Sequence, residues 1–232
     1  MIEIKNLSFR YEKEPILRDI SLKIKDSGFV AIIGANGSGK TTLAKHLNGL
    51  LIPAEGEVII DGADTKKSEA EARKKVGFVF QNFEDQLVYS IVEEDVAFGL
   101  ENLMMLPSKI KDIIGKTLKS VNIAHLSKRN VNTLSLGQKQ LVALAGVIAM
   151  KPKYIVFDEP TTMLDARNKK NIMDIIKNLN EKGRIGIIMV TNALEDLKYA
   201  DEVVVLKNGA VVFDGKKSQL SSKIIKEAGL ND

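Results

Sequence analysis

A glycine-rich stretch at residues 34–41 has the composition of a loop that binds phosphate groups. It matches the pattern G-x-x-x-x-G-K followed by Ser or Thr, and its residues are Gly34, Ala35, Asn36, Gly37, Ser38, Gly39, Lys40 and Thr41. Glycines let backbone N–H groups curl around phosphate oxygens, Lys40 offers a charge to the β- and γ-phosphates, and Thr41 offers a hydroxyl to Mg²⁺. An apolar stretch precedes the loop and a helical pattern follows it, which favours a nucleoside-triphosphate site over an ordinary turn.

Two acidic residues, Asp158 and Glu159, end the apolar stretch that begins at Tyr154. A buried parallel strand would bring Asp158 to the carboxyl edge of the sheet, beside the phosphate loop, where a carboxylate can hold Mg²⁺. Glu159 would point to the other side and orient or deprotonate an attacking water molecule. An acidic pair alone is more often a surface feature, so this hypothesis depends on the phosphate loop.

The pattern of apolar residues predicts the elements that must position these side chains. Over the first thirty residues, apolar and polar residues alternate as they do in antiparallel strands. Later strands are predicted at residues 29–33, 56–60, 76–80, 154–157, 185–190, 203–206 and 210–213. Two of the turns carry hairpin signals, Asp61-Gly62 and Asn208-Gly209. Residues 92–150 have a helical pattern, within which Ser108 is predicted to cap a helix.

Strands that alternate with helices are typical of an α/β fold, here a P-loop NTPase core with a parallel sheet. We therefore expect one domain over residues 1–232. It would combine that core with an N-terminal antiparallel β subdomain, an inserted α-helical subdomain at about 92–150 and a short helical tail at about 215–232.

The composition excludes several kinds of protein. The chain has 232 residues, a net charge of +4, no cysteine and no apolar run of the roughly 18 residues that a transmembrane helix needs. Disulfides and thiolate metal sites are therefore excluded, and the first residues do not have the pattern of a signal peptide. Lysines and arginines are scattered among a similar number of acids, so we expect no nucleic-acid partner.

Four further motifs give the chain a resemblance to the ATP-binding-cassette (ABC) ATPases. Leu134-Ser135-Leu136-Gly137-Gln138 resembles the L-S-G-G-Q signature of the family. Gln81 resembles the Q-loop glutamine and Asp165 the D-loop aspartate. Tyr11 lies where the family stacks an aromatic ring on adenine. The resemblance covers essentially the whole chain, in the order and spacing of the family.

The resemblance implies the cofactors ATP and Mg²⁺ and assigns residues to each. Catalytic roles fall to Lys40, Gln81, Glu159 and Asn192, and Mg²⁺ ligands are Thr41, Gln81 and Asp158. The residues implied to contact ATP are Tyr11, the phosphate loop, Thr42, Ser135, Gly137 and Gln138. In the family, two cassettes form a head-to-tail dimer, and each ATP lies between the phosphate loop of one chain and the signature of the other.

The sequence after Gln81 resembles one branch of the family, the ATPases of energy-coupling-factor (ECF) transporters. The resemblance lies in residues 81–86, 94–99 and 101–103, with Phe83 and Leu100 where the branch usually has proline. These transporters import vitamins and transition-metal ions. The resemblance implies a transmembrane T-component as direct partner, a substrate-binding membrane S-component as indirect partner, and a peripheral position at the cytoplasmic face of the cell membrane.

Two alternatives belong to other functional classes. A soluble ABC ATPase of translation or DNA maintenance would usually carry two cassettes or a long coiled coil, and this chain has neither pattern. A non-catalytic regulatory subunit would not need the retained Lys40, Asp158 and Glu159.

Two residues depart from the family pattern at positions that face ATP. The family has histidine where this chain has Asn192, and Leu136 replaces the first glycine of the signature. An asparagine amide donates a hydrogen bond but carries no proton charge. A leucine side chain either obstructs the close approach of backbone to phosphate or points away from it. Harmless drift would explain each departure. The alternative is a heterodimer with a second, related cassette, in which the two departures fall in different ATP sites.

Overall fold

Two β-sheets and the helices around them make up the computed structural model, which describes residues 1–230. In chain order the strands are β1 (Ile2–Tyr11), β2 (Glu14–Ile24), β3 (Phe29–Ile33), β4 (Glu55–Ile60), β5 (Ala63–Asp64), β6 (Val76–Val79), β7 (Tyr154–Asp158), β8 (Gly186–Val190), β9 (Glu202–Lys207) and β10 (Ala210–Lys216). The α-helices are α1 (Lys40–Leu47), α2 (Glu69–Lys75), α3 (Val92–Asn102), α4 (Pro107–Ser120), α5 (Leu136–Ala149), α6 (Ala166–Glu181) and α7 (Ser222–Glu227).

The first sheet is antiparallel and has the order β2-β1-β4-β5. Ile4 of β1 pairs with Leu22 of β2, and both side chains are buried. Because every second side chain of a strand lies on the same face, the predicted alternation buries one side of this sheet. Asp61 and Gly62 have left-handed φ angles of 48° and 82° and form the predicted hairpin turn between β4 and β5.

The second sheet has the order β10-β9-β3-β8-β7-β6. Strands β3, β6, β7, β8 and β9 run parallel, and β10 pairs antiparallel with β9. Strand β3 is buried along its whole length because Phe29 and Ala31 pack into one apolar cluster and Val30 and Ile32 into another on the opposite face. The predicted α/β fold, with a parallel core and an antiparallel N-terminal part, is confirmed.

The carboxyl edge of this second sheet gathers the candidate site residues. The phosphate loop follows β3, and Asp158 is the last residue of β7. Gln81 lies just beyond β6, which ends at Val79, and Asn192 lies just beyond β8. Parallel strands bring their carboxyl ends to one edge, where open α/β sheets bind ligands.

Three helices, α3, α4 and α5, occupy the stretch predicted to be helical. Helix α4 begins at Pro107 with Leu106 as its N-cap, so the prediction that Ser108 caps this helix is wrong. Proline suits the first helical position because its fixed φ matches the helix and it lacks the N–H that has no partner there. Helix α5 begins with a capping box, in which Ser135 and Gln138 each accept a hydrogen bond from the other's backbone N–H.

The last elements follow a hairpin between β9 and β10. Asn208 and Gly209 at its turn have left-handed φ angles of 50° and 80°, which confirms the hairpin turn predicted there. The side chain of Ser221 caps α7, and the last two residues of the predicted tail, Asn231 and Asp232, lie outside the described residues. Within residues 1–230, no helix is both long and apolar enough to cross a bilayer.

Candidate active site

The phosphate loop forms a cavity of about 250 Å³ at the carboxyl edge of the second sheet. The residues that line it are Ile16, Asn36, Gly37, Gly39, Lys40, Thr41, Thr42 and Glu159. Gly37 and Gly39 have φ angles of 78° and 101°, values that glycine adopts without strain, so the loop can curl back before α1. The structure therefore brings the predicted loop residues and Glu159 together, and it adds Ile16, which no motif indicated.

Lys40 is buried at the start of α1, with its ammonium group turned into the loop. Nζ donates hydrogen bonds to the carbonyl oxygens of Gly34 and Ala35 at 2.8 and 3.0 Å. Burial lowers the pKa of this ammonium group, against the opposing influence of the negative charges on Glu159 and Asp158. The loop thus holds a cation at the position where the motif requires one.

The phosphate loop rests on the hairpin of β9 and β10. The backbone N–H of Gly209 donates to the carbonyl oxygen of Ser38 at 3.0 Å. A Cβ atom on Gly34 would lie 2.3 Å from the carbonyl oxygen of Leu206, and one on Gly209 would lie 2.2 Å from that of Ile16. Side chains at these positions would push the backbones apart, so both glycines are needed for this contact. The sequence predicted the hairpin turn but not its contact with the loop.

Thr41 and Asp158, two of the predicted Mg²⁺ ligands, lie side by side. Thr41 Oγ1 donates to Asp158 Oδ1 at 3.0 Å. Burial raises the pKa of the Asp158 carboxyl, and the hydrogen bond from Thr41 opposes that rise. In the described part of the chain, no group of three or more His, Cys, Asp or Glu residues could hold a metal ion by itself. A hydroxyl beside a carboxylate nevertheless fits Mg²⁺, which takes few protein ligands and completes its shell with water and phosphate oxygens.

The carboxylate of Glu159 accepts hydrogen bonds from three side chains. Gln81 Nε2 and Thr162 Oγ1 donate to Oε2 at 3.2 and 3.0 Å. Asn192 Nδ2 donates to Oε1 at 2.7 Å, and it also lies 2.9 Å from Oδ1 of Asn36 in the phosphate loop. Glu159 itself has a left-handed φ of 48°, a conformation that is uncommon outside glycine and clusters at functional sites. No sequence motif indicates Thr162, although it follows Glu159 by only three residues.

The signature residues lie apart from the phosphate loop of the same chain. Among the described residues, those that line the phosphate cavity include none of residues 134–138. Ser135 and Gln138 are engaged in the capping box of α5, and the Leu136 side chain is exposed. Gly137 is buried where a Cβ atom would lie 2.8 Å from the side chain of Asn168 in α6. The start of α5 therefore takes no part in lining the phosphate cavity of its own chain.

Tyr11, the predicted adenine contact, lies at the exposed end of β1. Its ring packs edge to face against Phe9, with the ring centroids 5.0 Å apart, and Phe9 packs in turn against His46 of α1 at 4.6 Å. Tyr11 does not line the phosphate cavity. Its exposed ring leaves surface available for stacking.

A second cavity, a groove of about 530 Å³, lies between α2, α3 and α5. Its walls include Phe98 of α3 and Met150 after α5, and Arg73 of α2 adds a cation. Gln86, from the stretch that resembles the ECF ATPases, also lines the groove, and its side chain accepts a hydrogen bond from the backbone N–H of Phe80 at 3.3 Å. The groove is thus connected through β6 and its following turn to the carboxyl edge of the sheet.

Comparisons with known proteins agree with this geometry. Residues 17–162 match the family model described as ABC transporter. The chain is 46% identical to the energy-coupling factor transporter ATP-binding protein EcfA1 of Clostridioides difficile, and the match covers 100% of this chain and 86% of that protein.

Solved structures extend the similarity to the fold. The cbiO1 protein of Clostridium perfringens, described as part of the ABC transporter complex cbiONQ, superposes with a TM-score of 0.87 and 33% identity, covering 99% of this chain and 94% of that chain. A dimeric ATP-binding cassette in a post-hydrolysis state, bound to ADP and Pi, has a TM-score of 0.81 and 31% identity, with 93% and 98% covered. This chain is therefore an ATPase that belongs to the ABC transporter family, in the branch of the energy-coupling factor transporter ATP-binding proteins.

Proposed function

We propose that this chain is the ATP-binding and hydrolysing subunit of an ECF-type membrane importer for vitamins or metal ions. The observation that carries the proposal is the carboxylate of Glu159, which Gln81, Thr162 and Asn192 hold at the edge of the phosphate cavity. A carboxylate fixed beside a phosphate site is placed to act on water rather than to bind the phosphates, which it would repel.

The phosphate loop binds the triphosphate of ATP. Its backbone N–H groups and the N-terminal end of α1 face the phosphate oxygens, and Thr42 adds a hydroxyl in the first turn of the helix. Lys40 exchanges its hydrogen bonds to the loop carbonyls for contacts to the β- and γ-phosphates. The exposed ring of Tyr11 stacks on the adenine base.

Thr41 and Asp158 would hold Mg²⁺ through a hydroxyl and a carboxylate oxygen. Gln81 adds its amide oxygen, which is free for this role because its amide nitrogen is the atom that donates to Glu159. A Mg²⁺ ion held by these residues would supply positive charge to offset the negative charge of the phosphates.

Glu159 acts as general base in the hydrolysis of ATP. It takes a proton from water as the water oxygen bonds to the γ-phosphorus and the bond from that phosphorus to the β–γ bridging oxygen breaks. Within residues 1–230, Oε2 accepts two hydrogen bonds, whereas Oε1 accepts one, from Asn192. A carboxylate oxygen has two lone pairs, so Oε1 retains one that can accept the proton of water.

The working ATPase is a dimer in which each signature serves the ATP of the other chain. Ser135, Gly137 and Gln138 lie at the N-terminus of α5, which offers N–H groups and the positive end of the helix dipole to a γ-phosphate. Asn192 and Leu136 each weaken one contact to that phosphate. We therefore infer a heterodimer in which a second, related cassette supplies the histidine and glycine that this chain lacks.

The groove lined by Phe98, Met150 and Gln86 receives a coupling segment of the transmembrane T-component. A chain that binds the T-component in this way is a peripheral subunit at the cytoplasmic face of the cell membrane. The S-component, which binds the transported substrate, is reached through the T-component, and no nucleic acid takes part.

The catalytic part of the proposal is tested by Glu159→Gln in the assembled complex. The amide keeps the shape of the side chain but accepts no proton, so turnover should fall on the order of 1000-fold while ATP binding persists. Lys40→Ala should instead weaken ATP binding, because it removes a charge that meets the phosphates in the ground state. Glu181→Gln, at an exposed position at the end of α6, is the matched control. Unchanged turnover in Glu159→Gln would remove Glu159 from its role as base.

The membrane partner is tested by cross-linking. The chain contains no cysteine, so Asp85→Cys, at an exposed position beside the groove, introduces a single thiol. In intact complexes this thiol should cross-link to a membrane subunit. Cross-links to soluble proteins alone would contradict the transporter function while leaving the ATPase site untouched.

A further inference from the structure

A buried carboxylate, Asp196, lies close to the carboxyl edge of the second sheet, in a short 3-10 turn at Leu194–Tyr199. It is only 1% exposed. Its Oδ2 accepts hydrogen bonds from the hydroxyls of Thr161 and Thr191, each at 3.0 Å. One carboxylate oxygen therefore joins two loops that are remote in the sequence.

Each of these threonines adjoins a residue of the candidate active site. Thr161 follows Glu159 after one proline, and Thr191 directly precedes Asn192. The two loops also meet at the site itself, where Asn192 Nδ2 donates to Glu159 Oε1 at 2.7 Å. Asp196 thus connects the loop that carries Glu159 with the loop that carries Asn192, through hydrogen bonds on the buried side of both loops.

A third element compensates the charge of this buried carboxylate. Lys169 of α6 places Nζ 3.3 Å from Asp196 Oδ1 and pairs with the exposed Glu195 as well. Burial lowers the pKa of the Lys169 ammonium, but the two carboxylates outweigh this effect and raise it. A buried ion pair costs several kcal/mol of desolvation per ion, so well-packed apolar residues would often stabilise a fold as well or better. Stability alone therefore does not account for a carboxylate at this place.

We propose that Asp196 is a positioning residue for ATP hydrolysis, which sets the spacing between Glu159 and Asn192 through the hydroxyls of Thr161 and Thr191. The inference rests on the proposed roles of Glu159 and Asn192. A carboxylate that accepts two hydrogen bonds at one oxygen fixes both loops at once, and a shift of about 1 Å between catalytic groups costs on the order of 100-fold in rate.

The test uses the threonines, because a change at Asp196 itself removes one of the two carboxylates beside Lys169 and the acceptor of both threonine hydroxyls at once, which endangers folding. Thr161→Val and Thr191→Val keep the side-chain shape and remove one hydroxyl each. Thr161→Val should lower kcat about tenfold, the loss expected for one buried hydrogen bond that acts only on the transition state. Thr191→Val should lower kcat at least as much, because Thr191 Oγ1 also accepts a hydrogen bond from the backbone N–H of Ala193 at 3.0 Å. Both variants should leave the KM for ATP within about twofold. Thr161→Ser and Thr191→Ser should restore kcat. Thr65→Val is the matched control, since Thr65 is fully buried and its hydroxyl has no hydrogen-bond partner within residues 1–230.

A double-mutant cycle separates positioning from simple stabilisation. If Thr191 acts through Asn192, Thr191→Val should have less than about a twofold effect on kcat in an Asn192→Ala background. An equal loss in both backgrounds, or a fall in melting temperature with kcat unchanged well below it, would overturn the inference. Glu159→Gln and Asn192→Ala serve as references. Full turnover in both variants would refute the proposed roles of Glu159 and Asn192. Reduced turnover in both, together with wild-type turnover in the threonine variants, would refute only the role of Asp196.

Discussion

The side-chain nitrogen of Asn192 lies 2.7 Å from Oε1 of Glu159. The same nitrogen lies 2.9 Å from Oδ1 of Asn36, so one amide connects the candidate base to the phosphate loop. Asparagine at this position thus retains a hydrogen bond to the glutamate. It does not supply the positive charge that an imidazolium would bring to a γ-phosphate.

Asn192→Ala and Asn192→His should change turnover in opposite directions. Alanine removes the hydrogen bonds to Glu159 and Asn36 and should lower kcat on the order of 100-fold, the scale seen when one preorganised donor is lost. Histidine, which reaches further and can carry a charge, should raise kcat at the site built on this phosphate loop. Single-turnover hydrolysis with a stoichiometric complex measures both. A histidine variant as slow as the alanine variant would show that the asparagine is specifically fitted to this site.

Thr162→Val should slow hydrolysis without weakening ATP binding. The variant removes the hydroxyl that donates to Glu159 Oε2 at 3.0 Å. Within residues 1–230, that oxygen then keeps one donor, Gln81 Nε2. Because Thr162 is exposed, we expect a loss of about three- to tenfold in kcat, the value of one partly solvated hydrogen bond. Thr162→Ser keeps the hydroxyl and should retain the activity of the wild type. Equal rates in the valine and serine variants would mean that the hydroxyl does not act on the base.

Co-expression with a second, related cassette should increase turnover. In a homodimer both ATP sites would combine Asn192 from one chain with Leu136 from the other. Losing one electrostatic contact raises the free energy of the transition state by on the order of 3 kcal/mol. Two losses in one site would therefore lower the rate by up to several factors of ten. In a heterodimer the two departures fall in separate sites, and the retained Glu159 predicts asymmetric rather than single-site activity.

The measurement compares this chain alone with the chain co-purified with a related cassette. We expect weak turnover alone, a one-to-one complex on co-expression, and faster hydrolysis in that complex. Leu136→Gly should accelerate only the site built on the partner's phosphate loop. If the homodimer were fully active and a related cassette did not change its turnover, Asn192 and Leu136 would be harmless drift.

Two glycine-to-alanine changes should shift stability in opposite directions. A Cβ atom on Gly77 in β6 would lie 2.3 Å from Val147 Cγ1 in α5, and such overpacking costs about 1–3 kcal/mol. Gly115 lies inside α4 with no heavy atom within 4 Å of the added carbon, so Gly115→Ala should gain about 0.5–1 kcal/mol from helix propensity. Denaturant unfolding of both variants measures the difference. Equal stabilities would mean that β6 and α5 can move apart without cost.

Local patterns predicted the parts of the site that follow buried strands. The phosphate loop directly follows the apolar strand β3, and Asp158 ends the apolar strand β7. In both cases the sequence shows an apolar run followed at once by candidate site residues. Because parallel strands end at one edge of a sheet, these patterns were enough to expect Thr41 and Asp158 close together, and the structure places their oxygens 3.0 Å apart.

Contacts between loops were not accessible in the same way. Thr162 and Asp196 are ordinary polar residues in sequence, and only the packing of β7, β8 and their loops brings them to their partners. The wrong cap at Ser108 has a different origin. Serine favours the N-cap position, but Pro107 favours the first helical position more strongly here, and the helix accordingly begins two residues earlier than a cap at Ser108 would allow.

The contact between Gly209 and Ser38 decides where this protein tolerates engineering. Tight surface turns are the usual places to insert an affinity tag or a fluorescent reporter, and the turn at Asn208-Gly209 would be an obvious choice. An insertion there would remove a backbone donor from the nucleotide loop and would force a larger residue against the carbonyl oxygen of Ile16. The exposed turn at Lys182-Gly183, near the opposite ends of the parallel strands, is therefore the better place for a reporter of assembly.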